Sequence, residues 1–480
     1  MTSGEFPGSG FVIQALVMTQ TIDIPFWQFA LLIAFAAVTF ASHFLFPSVR
    51  WFFRRRFERA VAQLNTRLAR PIEPFKLMRR ADNINRLLYD PQVMEAVVAH
   101  AKAEGVREDV AFEKARRYAR EIVPGFSTAT YFGFAIRIGH WLTQALYRVR
   151  IERVEMSVAG IPPEATVVFV MNHRSNMDYV LVTWLVADNT TLSYAVGEWA
   201  RIWPLRWLVR ASGAYFIRRR KITPLYRSVL ARYVQMARDN GVTQAIFPEG
   251  GLSRDGRLGA PKLGLLSYLW DGFDPEKARD VVFVPVGLNY DRVFEDAALV
   301  AAPPKGRFKL SWRRVIGAVL PEVWPILAGR QRFGHAAVSF GAPVSLRAAM
   351  LAGGRVEDLG RELMARVGAS VPILPVPLVA DLLLAGPPEV EEAALDAAFR
   401  DRMTGATPVP LTDASAPADF TLEDGLRVLL RRGLVTRENG RITVAAEAGP
   451  MLRYYANTLP GRQTPPPEAP ETPEKYVIAT

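Results

Sequence analysis

The chain contains no cysteine among its 480 residues, and it has only five histidines. The absence of cysteine excludes disulfide bonds, cysteine-ligated zinc or clusters, and thiol catalysis. It does not tell whether the protein works in an oxidising or a reducing compartment. We predict no metal site and no bound cofactor.

Acidic residues are also in deficit, because 47 Asp and Glu face 59 Lys and Arg, which gives a net charge of +12. This excess indicates an anionic partner. The sequence carries no Cys/His finger and no glycine–aromatic RNA-binding signature, so nucleic acid is not predicted. A phospholipid surface and a phosphorylated metabolite remain as the candidate partners.

Residues 24–49 lack Asp, Glu, Lys and Arg altogether. The stretch is long enough to cross a hydrocarbon core of ~30 Å, and we predict a transmembrane helix there. A buried helix, or one lying in the membrane interface, is the alternative. Basic residues follow directly, so the positive-inside rule predicts a cytoplasmic catalytic domain, at the inner membrane if the chain is bacterial. They are Arg50, Arg54, Arg55, Arg56 and Arg59.

Beyond this segment the periodicity predicts a helical region and then an α/β layer fold. Apolar residues recur at helical spacing up to about residue 150, and short β-branched runs such as TVVFVM, LVTWLVAD, TQAIFP and VVFVPVGLNY alternate with helical stretches afterwards. The Asn439–Gly440 pair between apolar runs predicts a hairpin. The predicted divisions are a short tail (1–23), the transmembrane helix (24–49), a helical region (50–150), the α/β domain (151–350), a separate small C-terminal domain (370–459) and a disordered proline-rich tail (460–480).

One candidate site is the stretch VVFVMNHRSNMDYV, a buried strand that runs into a helix. His173 and Asp178 flank the turn, and their spacing can bring the carboxylate to the imidazole. Such a carboxylate fixes one ring nitrogen and leaves the other as a general base toward a hydroxyl. The alternative is an ordinary helix start, in which Asn172 or Ser175 caps backbone amides.

Two further stretches combine cations with glycine. GAYFIRRRK ends an apolar run with Arg218, Arg219, Arg220 and Lys221, which suits a phosphate pocket, a lipid contact or a solvated edge. FPEGGLSRDGRLGAPKLGLL follows a strand with Gly250 and Gly251, where the backbone can approach an anion. Arg254, Arg257 and Lys262 offer charge there, and Glu249 can organise the arginines. An ordinary surface loop is the alternative.

A fourth stretch, VFVPVGLNYDR, reads as a buried strand, and its proline predicts a bulge or an edge. Taken in order, the four stretches resemble the boxes of the glycerolipid acyltransferase family: His-x4-Asp, Gly-x-x-Phe-Ile-Arg-Arg, Phe-x-Glu-Gly and Val-Pro-Val. The residues of these boxes are most similar to those of glycerol-3-phosphate and dihydroxyacetone-phosphate acyltransferases. The resemblance covers residues 110–350, and LPVPLVADLL and LRYYANTL extend it toward the C-terminus.

The resemblance implies a layered acyltransferase-like α/β fold and roles for particular residues. His173 would be the base and Asp178 its partner, with direct attack on an acyl thioester. Contacts to the acceptor phosphate would come from Arg218, Arg219, Glu249, Gly250, Gly251, Arg254 and Lys262, and the acyl or substrate pocket would include Pro285, Asn289 and Tyr290. One departure is Leu252, where the family has arginine. Losing a charge-assisted contact forfeits ~1.5 to 3 kcal/mol unless Arg257 or Arg219 replaces it.

The implied substrates are glycerol 3-phosphate and an acyl thioester carried by coenzyme A or acyl carrier protein, at a phospholipid bilayer. Three alternatives stay open. Within the class, the acceptor is a lysophospholipid or dihydroxyacetone phosphate. Outside it, the chain is a thioesterase or a non-catalytic module that binds anionic lipid.

Overall fold

The computed structural model describes residues 25–151, 160–187, 189–197, 209–218, 222–301, 332–405 and 420–462, with the side chains at 26, 40–54, 57–58 and 405 left out. The chain divides into two units, Met1–Thr66 and Arg67–Thr480. The predicted tail over 1–23 and most of the predicted tail over 460–480 lie outside the described residues.

The described part of the first unit is one long helix, α1 (Phe26–Asn65), with one residue on either side of it. The predicted transmembrane helix coincides with its first part, where Trp27, Phe35 and Val38 are exposed. Among the residues that the structure describes, no helix has both the length and the apolarity needed to cross a membrane.

The second unit begins with helices and continues into the sheet, as the sequence predicted. Its helices alternate with strands from residue 148 onward. The helices are α2 (Pro74–Leu77), α3 (Arg80–Leu88), α4 (Pro91–Glu104), α5 (Glu108–Ile122), α6 (Thr128–Thr130), a π-turn (Tyr131–Ala135), α7 (Ile136–Leu146), α8 (Met177–Leu185), α9 (Pro224–Asp239), α10 (Gly264–Trp270), α11 (Asp296–Val300), α12 (Leu346–Leu351), α13 (Val356–Ala369), α14 (Pro375–Ala385), α15 (Glu392–Gly405), α16 (Leu422–Arg431) and α17 (Gly449–Ala456).

Within the described residues, the main sheet has eight strands. Seven follow the order β1-β7-β6-β2-β5-β3-β4, and β8 pairs with β6. The strands are β1 (Arg148–Ile151), β2 (Thr166–Met171), β3 (Ser193–Val196), β4 (Tyr215–Phe216), β5 (Gln244–Ile246), β6 (Val281–Tyr290), β7 (His335–Phe340) and β8 (Val344–Ser345). All pairs are parallel except β6–β7 and β6–β8. The fold is therefore mixed α/β around a mainly parallel sheet.

Side chains of β2 alternate between two cores, which explains why the whole strand reads as apolar. Val167 and Phe169 pack with α8 and the C-terminal helices, whereas Val168 and Val170 pack with α3–α5, α9 and α13. Every residue of β2 is buried. Burial on both faces is usual for a parallel sheet.

The C-terminal region shares the first of these cores, so the predicted separate domain over 370–459 is wrong. Leu378, Leu426 and Leu452 from three of its helices belong to the same buried cluster as Val284 and Leu288 of β6. A small sheet, β10-β11-β9, completes this region. Its strands are β9 (Glu389–Glu391), β10 (Val435–Glu438) and β11 (Arg441–Val444).

Three local predictions can be compared with the structure directly. The Asn439–Gly440 hairpin is confirmed: both residues have positive φ and join antiparallel strands. The β-branched run LVTWLVAD is helical from Leu181 to Leu185 rather than extended. Pro285 lies inside the sheet. On the side of β6 that faces away from β2, the residues before Pro285 pair with β8 and those after it pair with β7.

We predict that the conformation of the glycine-rich loop, which connects β5 to α10, depends on close contact with α17. Gly256 has a φ of 84°, and a Cβ there would overlap the backbone carbonyl of Tyr454. Gly433, with a φ of 64°, has open space around it. Gly433→Ala should cost ~1 to 2 kcal/mol of unfolding free energy because of its φ, and Gly256→Ala should cost ~1 to 3 kcal/mol more through overpacking. Urea denaturation measures both, and equal losses would contradict the contact.

Candidate active site

Three parallel strands place the candidate site at one edge of the sheet. His173 follows β2, Glu249 follows β5, and Tyr290 ends β6. These strands are neighbours and run in the same direction, so their carboxyl ends lie together. Ligands of open α/β sheets bind in the crevice at this edge.

His173 and Asp178 are in direct contact. The imidazole Nδ1 lies 2.9 Å from Asp178 Oδ2, and both side chains are almost completely buried. A carboxylate only accepts hydrogen bonds when ionised, so it fixes the proton on Nδ1 and leaves the Nε2 lone pair free. Nε2 lies 3.5 Å from the hydroxyl of Tyr179. The Phe247 ring is 4.3 Å from the imidazole, centroid to centroid.

Asp178 accepts three further hydrogen bonds. The backbone amides of Arg174 and Ser175 donate to Oδ2 at 2.8 and 3.0 Å. The Tyr290 hydroxyl donates to Oδ1 at 2.7 Å. Burial raises the pKa of the Tyr290 phenol well above its usual range, so it remains a donor. These donors stabilise the ionised carboxylate, which lies in the first turn of α8, where a negative charge is favoured.

Glu249 joins the glycine-rich loop to the turn between β2 and α8, which contains His173 and is called the catalytic turn below. Its Oε1 accepts from the His173 backbone amide at 2.8 Å, and its Oε2 accepts from the Gly259 amide at 3.0 Å. Burial raises the pKa of this carboxyl, while Arg174 lowers it in part. The Ser253 amide completes the junction by donating to the His173 carbonyl at 3.0 Å. Glu249 therefore organises backbone at the site, and its contacts are not those of a phosphate ligand.

The predicted phosphate-binding residues separate into two groups. Gly250, Gly251, Arg254 and Lys262 lie on or beside the loop that Glu249 holds against His173. Gly250 has a φ of 67°, and the Lys262 side chain packs across the place where a Cβ would stand.

Arg218 is directed elsewhere. Its guanidinium forms an ion pair with Glu121, with Nη2 to Oε2 at 2.6 Å and Nε to Oε1 at 2.9 Å. The rings of Tyr118 and Tyr226 lie 4.9 and 5.3 Å from it. Two strands, β5 and β3, separate its strand from β2. Arg219 lies outside the described residues.

The predicted pocket residues have internal roles in this structure. Asn289 and Tyr290 are each 1% exposed. The Asn289 side-chain amide donates to the Pro372 carbonyl at 2.8 Å, and Tyr290 bonds Asp178. Pro285 is buried in β6. Tyr290 thus supports the His173–Asp178 pair, and Asn289 holds β6 to the C-terminal region. That the three residues line a substrate pocket stays a prediction.

Two residues at the site were missed by sequence reasoning. Glu295 bonds Ser175 and Asn176, between the members of the dyad. Arg174 is completely buried and donates to the Gly256 carbonyl. Glu295 comes five residues after the Val-Pro-Val strand, and its proximity follows only from the pairing of β6 with β2.

Comparisons with known proteins agree with this geometry. A family model described as acyltransferase matches residues 150–289, and one described as glycerol-3-phosphate acyltransferase C-terminal region matches residues 326–459. A glycerol-3-phosphate acyltransferase of Pseudomonas entomophila (strain L48) is 30% identical over 419 residues, covering 80% of this chain and 49% of the relative. One of Pseudomonas syringae pv. syringae (strain B728a) is 31% identical over 271 residues, covering 55% and 31%.

This chain thus spans about half or less of the length of these relatives. Among solved structures, the 1-acyl-sn-glycerophosphate (LPA) acyltransferase PlsC from Thermotoga maritima is 22% identical, covers 48% of this chain and 73% of its own, and has a TM-score of 0.30. The two family models match in succession on one chain, and the first contains the His173–Asp178 pair. The chain therefore combines an acyltransferase domain with a glycerol-3-phosphate acyltransferase C-terminal region.

Proposed function

We propose that this chain transfers a fatty acyl group from an acyl thioester to a hydroxyl of glycerol 3-phosphate. The observation that carries the proposal is the buried His173–Asp178 pair, whose carboxylate is fixed by four donors. The relatives named above as glycerol-3-phosphate acyltransferases support the choice of acceptor. Coenzyme A and acyl carrier protein are both suitable as carriers of the thioester.

In the proposed reaction, His173 Nε2 accepts the proton of the acceptor hydroxyl while the oxygen attacks the thioester carbonyl carbon. Asp178 stabilises the resulting imidazolium through Nδ1–H. The tetrahedral intermediate then collapses, the carbon–sulfur bond breaks, and the imidazolium returns the proton to the leaving thiolate. The products are an ester and a free thiol, and no acyl-enzyme forms.

We place the acceptor phosphate at the glycine-rich loop, because this loop is bonded to the His173 backbone on one side. Arg254 and Lys262 supply positive charge, and Gly250 allows close approach of the backbone. Arg218 contributes to phosphate binding only if it leaves Glu121. Leu252, which replaces an arginine of the family, packs against the apolar core instead of adding charge.

We expect His173→Ala to lower turnover by ~100-fold or more, because general base catalysis contributes ~10²- to 10⁴-fold. Asp178→Asn should cause a comparable loss. The measurement is incorporation of labelled glycerol 3-phosphate into lysophosphatidate with palmitoyl-coenzyme A, using membranes that contain the full chain. His140→Ala, which removes an exposed imidazole, is the control.

The same assay separates the alternatives. Product only from lysophosphatidate or dihydroxyacetone phosphate would keep the mechanism and change the acceptor. Thioester hydrolysis without an acylated product would favour a thioesterase. An inactive wild-type protein with every donor and acceptor would refute the enzymatic proposal.

Tyr290→Phe should lower kcat by about 10-fold with little change in KM, since a hydrogen bond to a charged group contributes ~1.5 to 3 kcal/mol. Tyr215→Phe is the matched control. The Tyr215 hydroxyl is buried and has no hydrogen-bond partner among the described residues, so its removal breaks no bond. Steady-state kinetics on both variants provides the comparison. Equal effects would show that the bond to Asp178 has no catalytic value.

We further propose that the chain works at an anionic phospholipid surface. Phe134, Ile138 and Trp141 are about half exposed and form one stripe along the π-turn and α7, with Arg137 beside them. Aromatic and basic residues on one helix face suit a membrane interface. In the first unit, apolar residues near the start of α1, such as Leu32 and Phe35, are exposed as well. Arg55, Arg56 and Arg59 follow them, which favours a cytoplasmic catalytic domain.

Replacing Phe134, Ile138 and Trp141 together by serine should weaken binding to phosphatidylglycerol-containing vesicles by ~10-fold or more, because apolar burial drives interfacial binding. Vesicle flotation of the full chain measures the effect. Leu351→Ser, which removes an exposed leucine from α12, is the control. Binding equal to that of the control would exclude the stripe as the membrane contact.

A further inference from the structure

One side chain outside the four boxes holds the middle of the catalytic turn. Glu295 Oε2 accepts from the Ser175 hydroxyl at 2.8 Å. Its Oε1 accepts from the backbone and side-chain amides of Asn176 at 3.2 and 2.9 Å. Glu295 is 2% exposed, and burial raises the pKa of its carboxyl. Three donors of the turn between His173 and Asp178 therefore converge on one buried group.

The next residue, Asp296, is held by the C-terminal region. Arg432 contacts both carboxylate oxygens, with Nη2 to Oδ1 at 3.0 Å and Nη1 to Oδ2 at 2.6 Å. The Tyr455 hydroxyl donates to Oδ2 and accepts from the Val293 amide at 3.1 Å. The Arg432 and Asp296 side chains are 12% and 4% exposed. Such a shielded two-point pair is geometrically demanding.

We propose that Glu295 is a positioning residue for the His173–Asp178 pair, and that Arg432 and Tyr455 fix the place of Glu295 through Asp296. Glu295 and Asp296 share a peptide bond, so a shift of one carboxylate moves the backbone of the other. The C-terminal region thereby takes part in catalysis without contacting the reacting atoms. This proposal rests on the acyl transfer proposed above.

Loss of either Glu295 or Arg432, the two anchors of the turn, has a specific kinetic signature. A looser turn weakens the contact between Asp178 and the imidazolium, so the charged form of His173 is less stabilised. The acid limb of the pH–rate profile then moves to lower pH, and kcat falls. A mere loss of folded protein would lower the whole profile without moving it.

The test compares Glu295→Ala and Arg432→Ala with Glu295→Gln and Arg432→Lys across the pH range. Because small displacements of a catalytic group cost up to ~10²-fold, we expect kcat to fall about 30-fold in Glu295→Ala and about 10-fold in Arg432→Ala, with little change in KM. The conservative variants should recover most of the loss. Arg427→Ala, which breaks an exposed ion pair on α16, is the control and should behave as wild type.

The proposed route also predicts non-additivity. If Arg432 acts through Glu295, the double alanine variant loses little more than Glu295→Ala alone, whereas independent effects would multiply. Tyr455→Phe keeps the buried ring and removes only the hydroxyl, so it replaces Arg432→Ala if that variant does not fold.

Hydrogen exchange of the peptide spanning residues 172–178 gives a readout that needs no activity. We expect faster exchange in the Glu295 and Arg432 alanine variants than in Arg427→Ala. If the wild type acylates no acceptor, the proposed function fails, and exchange still decides whether the anchors hold the turn. Unchanged exchange, or kcat losses that multiply with an unshifted pH profile, would overturn the positioning role.

Discussion

The arrangement of the site depends on keeping the Asp178 carboxylate ionised where water does not reach it. The side chain is completely buried, and an isolated charge in such surroundings is costly. Four hydrogen bonds offset that cost, two from the backbone of its own turn and one each from His173 and Tyr290. The carboxylate thereby holds together the turn, the imidazole and the last residue of β6.

The sequence predicted the parts of this arrangement that are local. His173 and Asp178 lie across one strand-to-helix turn, so their spacing alone predicts contact. The strands were predicted from runs of β-branched residues, because a parallel sheet buries both faces. Residues 181–185 have the same composition but are helical. They continue α8, whose first turn carries the negative charge of Asp178. Packing of Leu181, Val182 and Leu185 in the core outweighs the β preference.

The remaining contacts could not be predicted, because they depend on strand order. Tyr290 and Asp178 are 112 residues apart and meet only because β6 pairs with β2. Arg218 shows the reverse case. Its box follows a strand end like the others, but β4 lies at the far side of the sheet, and Glu121 satisfies its charge. A motif fixes the type of side chain, whereas sheet topology decides which side chains come together.

The C-terminal region was predicted as a separate domain because its sequence contains its own helical stretches and a hairpin signal. Two features of the structure oppose independence. Its leucines complete the core that covers one face of the sheet. Its Arg432 is partly desolvated beside Asp296, and a buried ion pair that loses one partner leaves an uncompensated charge. Removing the region would therefore expose apolar surface. It would also leave the Asp296 carboxylate without its ion-pair partner, directly next to Glu295, which holds the turn between His173 and Asp178. Folding of this region and order at the active site are coupled through the same few residues.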